Sequence, residues 1–470
     1  MSDDQSISTE QFGAVFKAFL EQMATQTRVD EPLFLNRISN HFDADPAHCP
    51  ILSEEFEVSE QPNLQLAIED YMARPGRPAE LLGVIGDQSY SYTGISLTQL
   101  LVPARGGLTS GSAPIPGPVQ YVNTKLEGDS LIACVQCGLY LIGEADSRIA
   151  LLVRGPNEIG YHRSIHIEVM ARDRSLAERF LAELRASMRK RNVYRGRVVS
   201  LGVDRYDGLV VQFHKLPKIA REQIILPAGL LDRIERQTVR FAKHSDRLLA
   251  AGRHLKRGIL LHGSPGTGKT LTAMYLASRM SDRTVLLLTG RGLGLIEQSC
   301  AMARALQPSM VVLEDVDLVA EERTRPGANC TAFLFELLNQ MDGLADDADV
   351  IFLLTTNRPD ILEPALASRP GRVDQAIEVP LPDSECRRRL FELYGQGMLV
   401  QVESMDKFVN RTEGASAAFI RELMRKAALF AADEAGEIVV RERHVDEALH
   451  ELVIDGGELT KALLGLQQGH

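Results

Sequence analysis

Residues 255–277 read LKRGILLHGSPGTGKTLTAMYLA, and every step of the fold reading starts from them. GILLH is a short continuous apolar run of the kind a buried strand presents. Helix-forming residues follow from Lys269 onward. Between the two lies Gly263-Ser264-Pro265-Gly266-Thr267-Gly268-Lys269-Thr270, in the order GxxxxGKT. Glycines at these places let backbone N–H groups converge on phosphate oxygens without Cβ interference, and the following helix aims its positive dipole end at the same charge. In that geometry Lys269 neutralises the β- and γ-phosphates of a nucleotide, the Thr270 hydroxyl is a Mg²⁺ ligand, and Leu271 continues the helix beside them. A chance glycine turn would not come with a strand before it and a helix after it.

Two further apolar runs carry polar groups at their carboxyl ends. MVVLEDVD, residues 310–317, ends in Glu314 and Asp315. Adjacent acids at the end of a buried parallel strand are costly unless a cation is near, and a Mg²⁺-nucleotide supplies that charge, so one carboxylate can hold the metal's water shell while the other polarises the attacking water. VIFLLTTN, residues 350–357, ends in Asn357, whose amide is suited to orienting that water or touching the γ-phosphate. Beyond it, SRPGRVDQ, residues 368–375, supplies Arg369 and Arg372, a type of planar, permanently charged group that phosphoryl transfer uses when a neighbouring protein lends it.

Composition sets the frame. The chain has 470 residues, 44% hydrophobic and 24% charged, which is ordinary for a globular protein and too long for one core. A net charge of −11 argues against bulk attraction to nucleic acid or anionic lipid. No run approaches the roughly 18–20 apolar residues that span a bilayer, and the start MSDDQSISTE lacks a secretory layout, so the cytoplasm is expected. Six scattered cysteines fit a reducing compartment. The pair Cys134 and Cys137 in LIACVQCGLYLI reads as core cysteines on a strand rather than as a metal site.

Ahead of residue 216 the expected elements are an amphipathic helix over 8–24, a helix at Leu64–Ala73, and a Gly/Ser/Pro-rich linker over 104–118. Strands follow in 119–153 and 164–171, then a helix capped by Ser175 running to Arg191, and two strands in RVVSLGV and LVVQFHKLP. These give a region over 1–103 and an α+β domain over 119–215, assigned to partner recognition. Arg185, Arg189, Lys190, Arg191, Arg195 and Arg197 form the densest basic cluster, read chiefly as solvated charge at a helix C-terminus.

From about Leu216 to Leu452 the chain resembles the AAA ATPases, the group with spastin, katanin and the proteasomal ATPases. GSPGTGKT resembles their Walker A, VVLEDVD their Walker B, and LLNQMDGL the helix after it. TTNRPDILEPALASRPGRVDQAIEVPLPD resembles the second region of homology, and TEGASAAFIRELMRKAAL the small helical domain. The resemblance implies an α/β P-loop NTPase fold over 216–383, a parallel sheet flanked by helices, with a C-terminal four-helix lid over 384–470. It further implies a hexamer with ATP and Mg²⁺ between subunits, Arg369 and Arg372 acting on the neighbour's γ-phosphate, Asn357 as sensor, and Gly414 and Ala415 touching base or sugar. Three features depart from the family pattern. Glu314 precedes Asp315 where the family has Asp then Glu, and ALASRPGR is one residue longer than usual. The segment GRGLGLIEQSC after Thr289 offers Arg291, Leu293 and Leu295 but no aromatic residue for gripping a threaded polypeptide. The expected function is an oligomeric ATPase that remodels a protein bound by its N-terminal region. An ATP-gated scaffold and a nucleic-acid remodeller are the alternatives.

Overall fold

The computed structural model describes residues 12–19, 33–85, 95–102, 114–128, 130–156, 164–203, 208–289, 294–317, 330–343, 345, 347–360, 373–434 and 437–455. They fall into two compact units, 1–193 with 203–210 and 194–202 with 211–470.

The first unit is α+β, as the alternating strand runs lead one to expect. Its strands are β1 (Ile51–Glu57), β2 (Ala79–Ile85), β3 (Ile115–Gly117), β4 (Gln120–Lys125), β5 (Leu131–Ile142), β6 (Ile149–Arg154) and β7 (Ser164–Ala171). They form one sheet in the order β1-β7-β6-β5-β2-β3, with β4 also on β5, and the registered pairs are antiparallel. Because side chains alternate along a strand, β6 sends Leu151 and Val153 to one face and Leu152 to the other. Helix α1 (Leu33–Phe42) covers the Leu152 face through Phe34, Ile38 and Phe42. Helices α2 (Gln61–Met72) and α3 (Arg174–Lys190) cover the other, where the rings of Tyr71 and Phe180 meet edge to face at 4.7 Å.

Local chemistry corrects one expectation here. Asp173, not Ser175, caps α3: its carboxylate accepts from the Leu176 N–H at 2.8 Å, and the Ser175 hydroxyl donates to the same carboxylate. In the basic cluster Arg185 pairs with Glu54 and Arg191 with Asp70, while Arg195 donates to the backbone carbonyls of Gln307 and Ala305. Cys134 is buried on β5 and Cys137 half-buried, with burial pushing the Cys137 thiol up to about 11, as befits core cysteines. No group of His, Cys, Asp or Glu among the described residues is placed to hold a metal. Residues 12–19 are helical, with Phe12, Val15, Phe16 and Phe19 exposed on one stripe. Most of the Gly/Ser/Pro stretch, 103–113, lies outside the described residues.

The second unit is built on another seven-stranded sheet, ordered β14-β10-β13-β12-β11-β8-β9. Its members are β8 (Val198–Val203), β9 (Leu209–Phe213), β10 (Arg257–His262), β11 (Thr284–Leu288), β12 (Ser309–Leu313), β13 (Val350–Thr356) and β14 (Gln375–Glu378). The pairs β10/β13, β10/β14, β12/β13, β11/β12 and β8/β11 are parallel. Strands β11, β12 and β13 are buried at every residue, which is why their sequences are continuous apolar runs. The runs RVVSLGV and LVVQFHKLP therefore contribute to this sheet rather than closing the first domain. Period-two alternation marks a strand without saying which sheet edge it will join, and the free edge of β11 takes Val198 and Val199 opposite Val285 and Leu286.

Helices α4 (Leu230–Glu235), α5 (Lys269–Arg279), α6 (Ile296–Ala305) and α7 (Cys330–Asp342) belong with this sheet. Then α8 (Ser384–Tyr394), α9 (Met405–Arg411), α10 (Ala417–Ala432) and α11 (Glu442–His450) enclose a core of their own around Phe391, Phe408, Phe419 and Leu423. These are the expected four lid helices. A parallel pair of short strands, β15 (Leu399–Gln401) and β16 (Val439–Arg441), joins them. No helix among the described residues is long and apolar enough to cross a membrane.

Candidate nucleotide site

Three strand ends meet at one edge of the second sheet. β10 ends at His262 and opens into the glycine loop, β12 ends at Leu313 before Glu314, and β13, lying between them, ends at Thr356 before Asn357. The chain leaves β10 for β11 across two intervening strands, so this edge is a topological switch point at the carboxyl ends, where open α/β sheets bind ligands.

The loop has its shape for reasons that can be read atom by atom. At Gly263, φ is +148°, and a Cβ would lie 2.2 Å from the Val379 carbonyl oxygen. At Gly266, φ is +74°, and a Cβ would meet the Ser416 hydroxyl at 2.7 Å and the Ala418 methyl at 2.8 Å. The loop is thereby pressed against both the sheet and the lid, and the Ala418 N–H donates to the Gly266 carbonyl at 3.1 Å. Thr267 donates to the Ser264 carbonyl at 3.0 Å, closing the turn. Lys269, buried at 5% exposure, holds its ammonium on the carbonyls of Gly263 and Ser264, each at 2.9 Å. Burial lowers its pKa, and the charges of Asp315 and Asp317 partly offset that.

Opposite the loop stand the acids. Asp315 adopts φ +47°, a left-handed conformation that aspartate tolerates better than most side chains. Its N–H donates to the Thr355 hydroxyl at 3.0 Å and its carboxylate accepts from the Asn357 amide at 3.3 Å. Burial first, and the Asp317 charge second, push its pKa above the ordinary carboxylate range. Glu314 is raised too, by burial and then by Asp315. The Glu314 Oε1 atom is buried with no hydrogen-bond partner among the described residues. A buried acceptor left so is expensive, by about 1–3 kcal/mol, and a carboxylate oxygen is the hard donor type that suits Mg²⁺.

A cavity of about 740 Å³ joins the glycine loop to Asp315 and Asn357. Pro265 to Leu271 form one wall of it, and Asp315 and Asn357 stand at its polar end. Its apolar end is made by Ile219, Ile224 and Leu226 from the segment before α4, together with Leu390 and Tyr394 of α8. That volume lies within the range of small-molecule sites. The first turn of α10 faces the cavity with Ala417, Ala418 and Arg421. Gly414 and Ala415, expected at base or sugar, do not line it. Ala415 is fully buried in the lid core, and because Ser416 caps α10 by accepting from the Phe419 N–H, the residues just after the cap are the ones turned outward. Arg369 and Arg372 lie outside the described residues, as do Arg291 and Leu293.

Sequence reading missed Asp317, the Ile219–Leu226 wall and Tyr394. Asp317 was in view as the third acid of LEDVD, spaced two residues from Asp315. The wall and Tyr394 carry no chemistry that distinguishes them from core residues.

Residues 259–381 match the family described as "ATPase family associated with various cellular activities (AAA)". The chain is 34% identical over 223 residues to a proteasome-activating nucleotidase of Methanopyrus kandleri, covering 44% of this chain and 51% of that protein. It is 33% identical over 199 residues to the 26S proteasome regulatory subunit S10B homolog B of Arabidopsis thaliana, covering 40% and 50%. With an ATP-dependent zinc metalloprotease FtsH of Mycoplasmopsis pulmonis the identity is 32% over 237 residues, covering 47% and 32%. The chain thus spans about half the length of the proteasomal relatives it matches. The glycine loop, Asp315 and Asn357, which line the cavity, all lie inside the segment that matches the AAA ATPase family.

Proposed function

We propose that this protein is an ATP hydrolase that works as a homo-oligomer, a hexamer by family resemblance, and uses hydrolysis to rearrange a protein held by its first unit. The observation that carries the proposal is the meeting, in one cavity, of Lys269, Thr270, Asp315 and Asn357 from three adjacent strand ends. The relatives named as proteasome-activating or proteasome-regulatory ATPases support a protein as the object of the work. The scattered cysteines, unpaired among the described residues, support a cytoplasmic location.

In this mechanism the amides of Gly266 to Thr270 and the N-terminus of α5 bind the phosphates, and Lys269 neutralises the β,γ bridge. Thr270 and Glu314 would hold Mg²⁺, whose charge would stabilise the developing negative charge on the phosphate. Asn357 orients a water, and Asp315 accepts its proton as the water oxygen attacks the γ-phosphorus. The bond from that phosphorus to the β,γ-bridging oxygen then breaks, and ADP leaves with the electron pair. Arg372, with Arg369, reaches the γ-phosphate of the adjacent subunit. A slowly hydrolysing ATP-gated scaffold is the second reading, favoured by the shorter acid at Asp315.

Three variants test the assignment. Lys269→Ala is expected to lose nucleotide binding, measured with a fluorescent ATP analogue. Asp315→Asn retains ATP but stops phosphate release, and rapid release by it would mean that another group takes the proton. Arg372→Ala binds ATP with turnover lost, by about 10³-fold if it is a full finger. Equal turnover by Arg372→Ala and the parent contradicts the shared site.

A further inference from the structure

Asp317 is 4% exposed and does not line the cavity, so it has no direct contact with a bound nucleotide to explain it. A carboxylate taken out of water is costly, and an apolar residue would fill the same space more cheaply. What this one does is specific. Its Oδ1 atom accepts from the Thr356 hydroxyl at 2.8 Å and from the Asn357 N–H at 3.1 Å. The Thr356 hydroxyl in turn accepts from the Arg358 N–H at 3.0 Å. One residue earlier, the Thr355 hydroxyl accepts from the Asp315 N–H at 3.0 Å. The last two threonines of β13 and the backbone of Asn357 are therefore tied across to the 315–317 segment at two points, and the Asn357 amide closes the circuit on the Asp315 carboxylate.

We propose that Asp317 is a positioning residue: by accepting two hydrogen bonds on one buried oxygen it fixes the backbone at Asn357, and through it the distance from the Asn357 amide to the γ-phosphate and attacking water. The proposal rests on the nucleotide-hydrolase reading above. Its consequence is a separation of binding from discrimination. The phosphate loop grips α- and β-phosphates without Asn357, so ADP affinity is independent of Asp317. The preference for a triphosphate, and the rate of the chemical step, depend on an amide held to within a fraction of an ångström. Both bonds fall on the same oxygen, so an asparagine at this place, with its carbonyl oxygen in the position of Oδ1, preserves the geometry while removing the charge.

The test compares the full-length parent with Asp317→Asn and Asp317→Ala. Affinities for ADP and for a slowly hydrolysed ATP analogue are measured by titration, phosphate release at saturating ATP is followed, and thermal unfolding is recorded to establish that each variant is folded. Asp317→Ala is expected to keep ADP affinity within about twofold of the parent while its triphosphate preference and kcat each fall about tenfold or more. Asp317→Asn is expected to restore both to within about threefold. The inference is overturned if the parent discriminates and turns over while Asp317→Ala matches it. It is equally overturned if ADP affinity falls in parallel with turnover, which marks a general structural role. It also fails if Asp317→Asn is as damaged as Asp317→Ala, because the charge, which also favours the Lys269 ammonium, would then be what counts. A parent that binds no adenine nucleotide removes the hydrolase reading and the inference with it, and only that outcome touches both.

Discussion

At Glu314 and Asp315 two carboxylates are half-buried side by side, and both titrate above their ordinary range because burial, and then a neighbouring negative charge, disfavours the ionised form. Each therefore binds its proton more readily in the folded chain than in the unfolded one. The resulting contribution to stability is present below the ordinary carboxylate values near 4 and is lost as pH rises through the shifted values. A cation favours the ionised pair, so loading it must expel whatever proton is there. Mg²⁺-ATP affinity is accordingly expected to weaken as pH is lowered from about 7.5 to about 5.5, while nucleotide affinity measured with the metal chelated changes less. Parallel pH profiles with and without the metal, in a calorimetric titration, contradict this assignment of the pair. The acids themselves were legible from MVVLEDVD, since no apolar core explains two charges at a strand end. The left-handed backbone of Asp315 was not, because nothing in a single aspartate advertises its φ. Nor was the second duty of Asp317, whose partners lie 39 and 40 residues away on another strand.

Among the elements, the strand, loop and helix around Gly263 to Thr270 were readable because each piece of that motif answers to a local rule: a buried run, glycines with positive φ, and an N-terminus aimed at charge. The apolar end of the cavity answers to none. Its wall, Ile219 to Leu226, is held in place by a relay outside the cavity. Arg221 pairs with Glu235 and Asp232 of α4, and Glu235 accepts from the Tyr275 hydroxyl on α5 at 2.5 Å. Tyr275 is buried, and the hydrogen bond with the adjacent Glu235 charge helps burial push its hydroxyl up to about 12, so it stays a donor. The same helix that carries Lys269 thus also fixes the wall. Because Arg221 is half exposed, its pairs are modest, on the order of 0.5–1 kcal/mol. Arg221→Ala is therefore expected to raise the KM for ATP about two- to fivefold and leave kcat within about twofold. A fall in kcat at unchanged KM would mean that the relay serves the reacting end instead. The two strands Val198–Val203 and Leu209–Phe213 mark a different limit. Their alternation was plain, yet it belonged equally well to either sheet until the open edge of β11 was known.

For the whole molecule, the division into two units and the family segment have unequal standing. The second unit carries nearly all of the interpretable chemistry. The first is a well-packed antiparallel sheet with helices on both faces, and its role in holding a partner is a proposal. Within its basic cluster Arg185 and Arg191 pair with Glu54 and Asp70, which lowers the charge open to a nucleic acid. Beside the Arg421 and Arg425 that its own chain places on the lining, the cavity is proposed to receive at the γ-phosphate a guanidinium lent by another copy through Arg369 or Arg372. Phosphate release per subunit, measured across a dilution series while sedimentation reports the assembly state, tests this most directly. Release per subunit is expected to rise with the fraction assembled and to vanish as the protein dissociates. A rate per subunit that stays constant down to the monomer, or no release from the assembled protein, contradicts it.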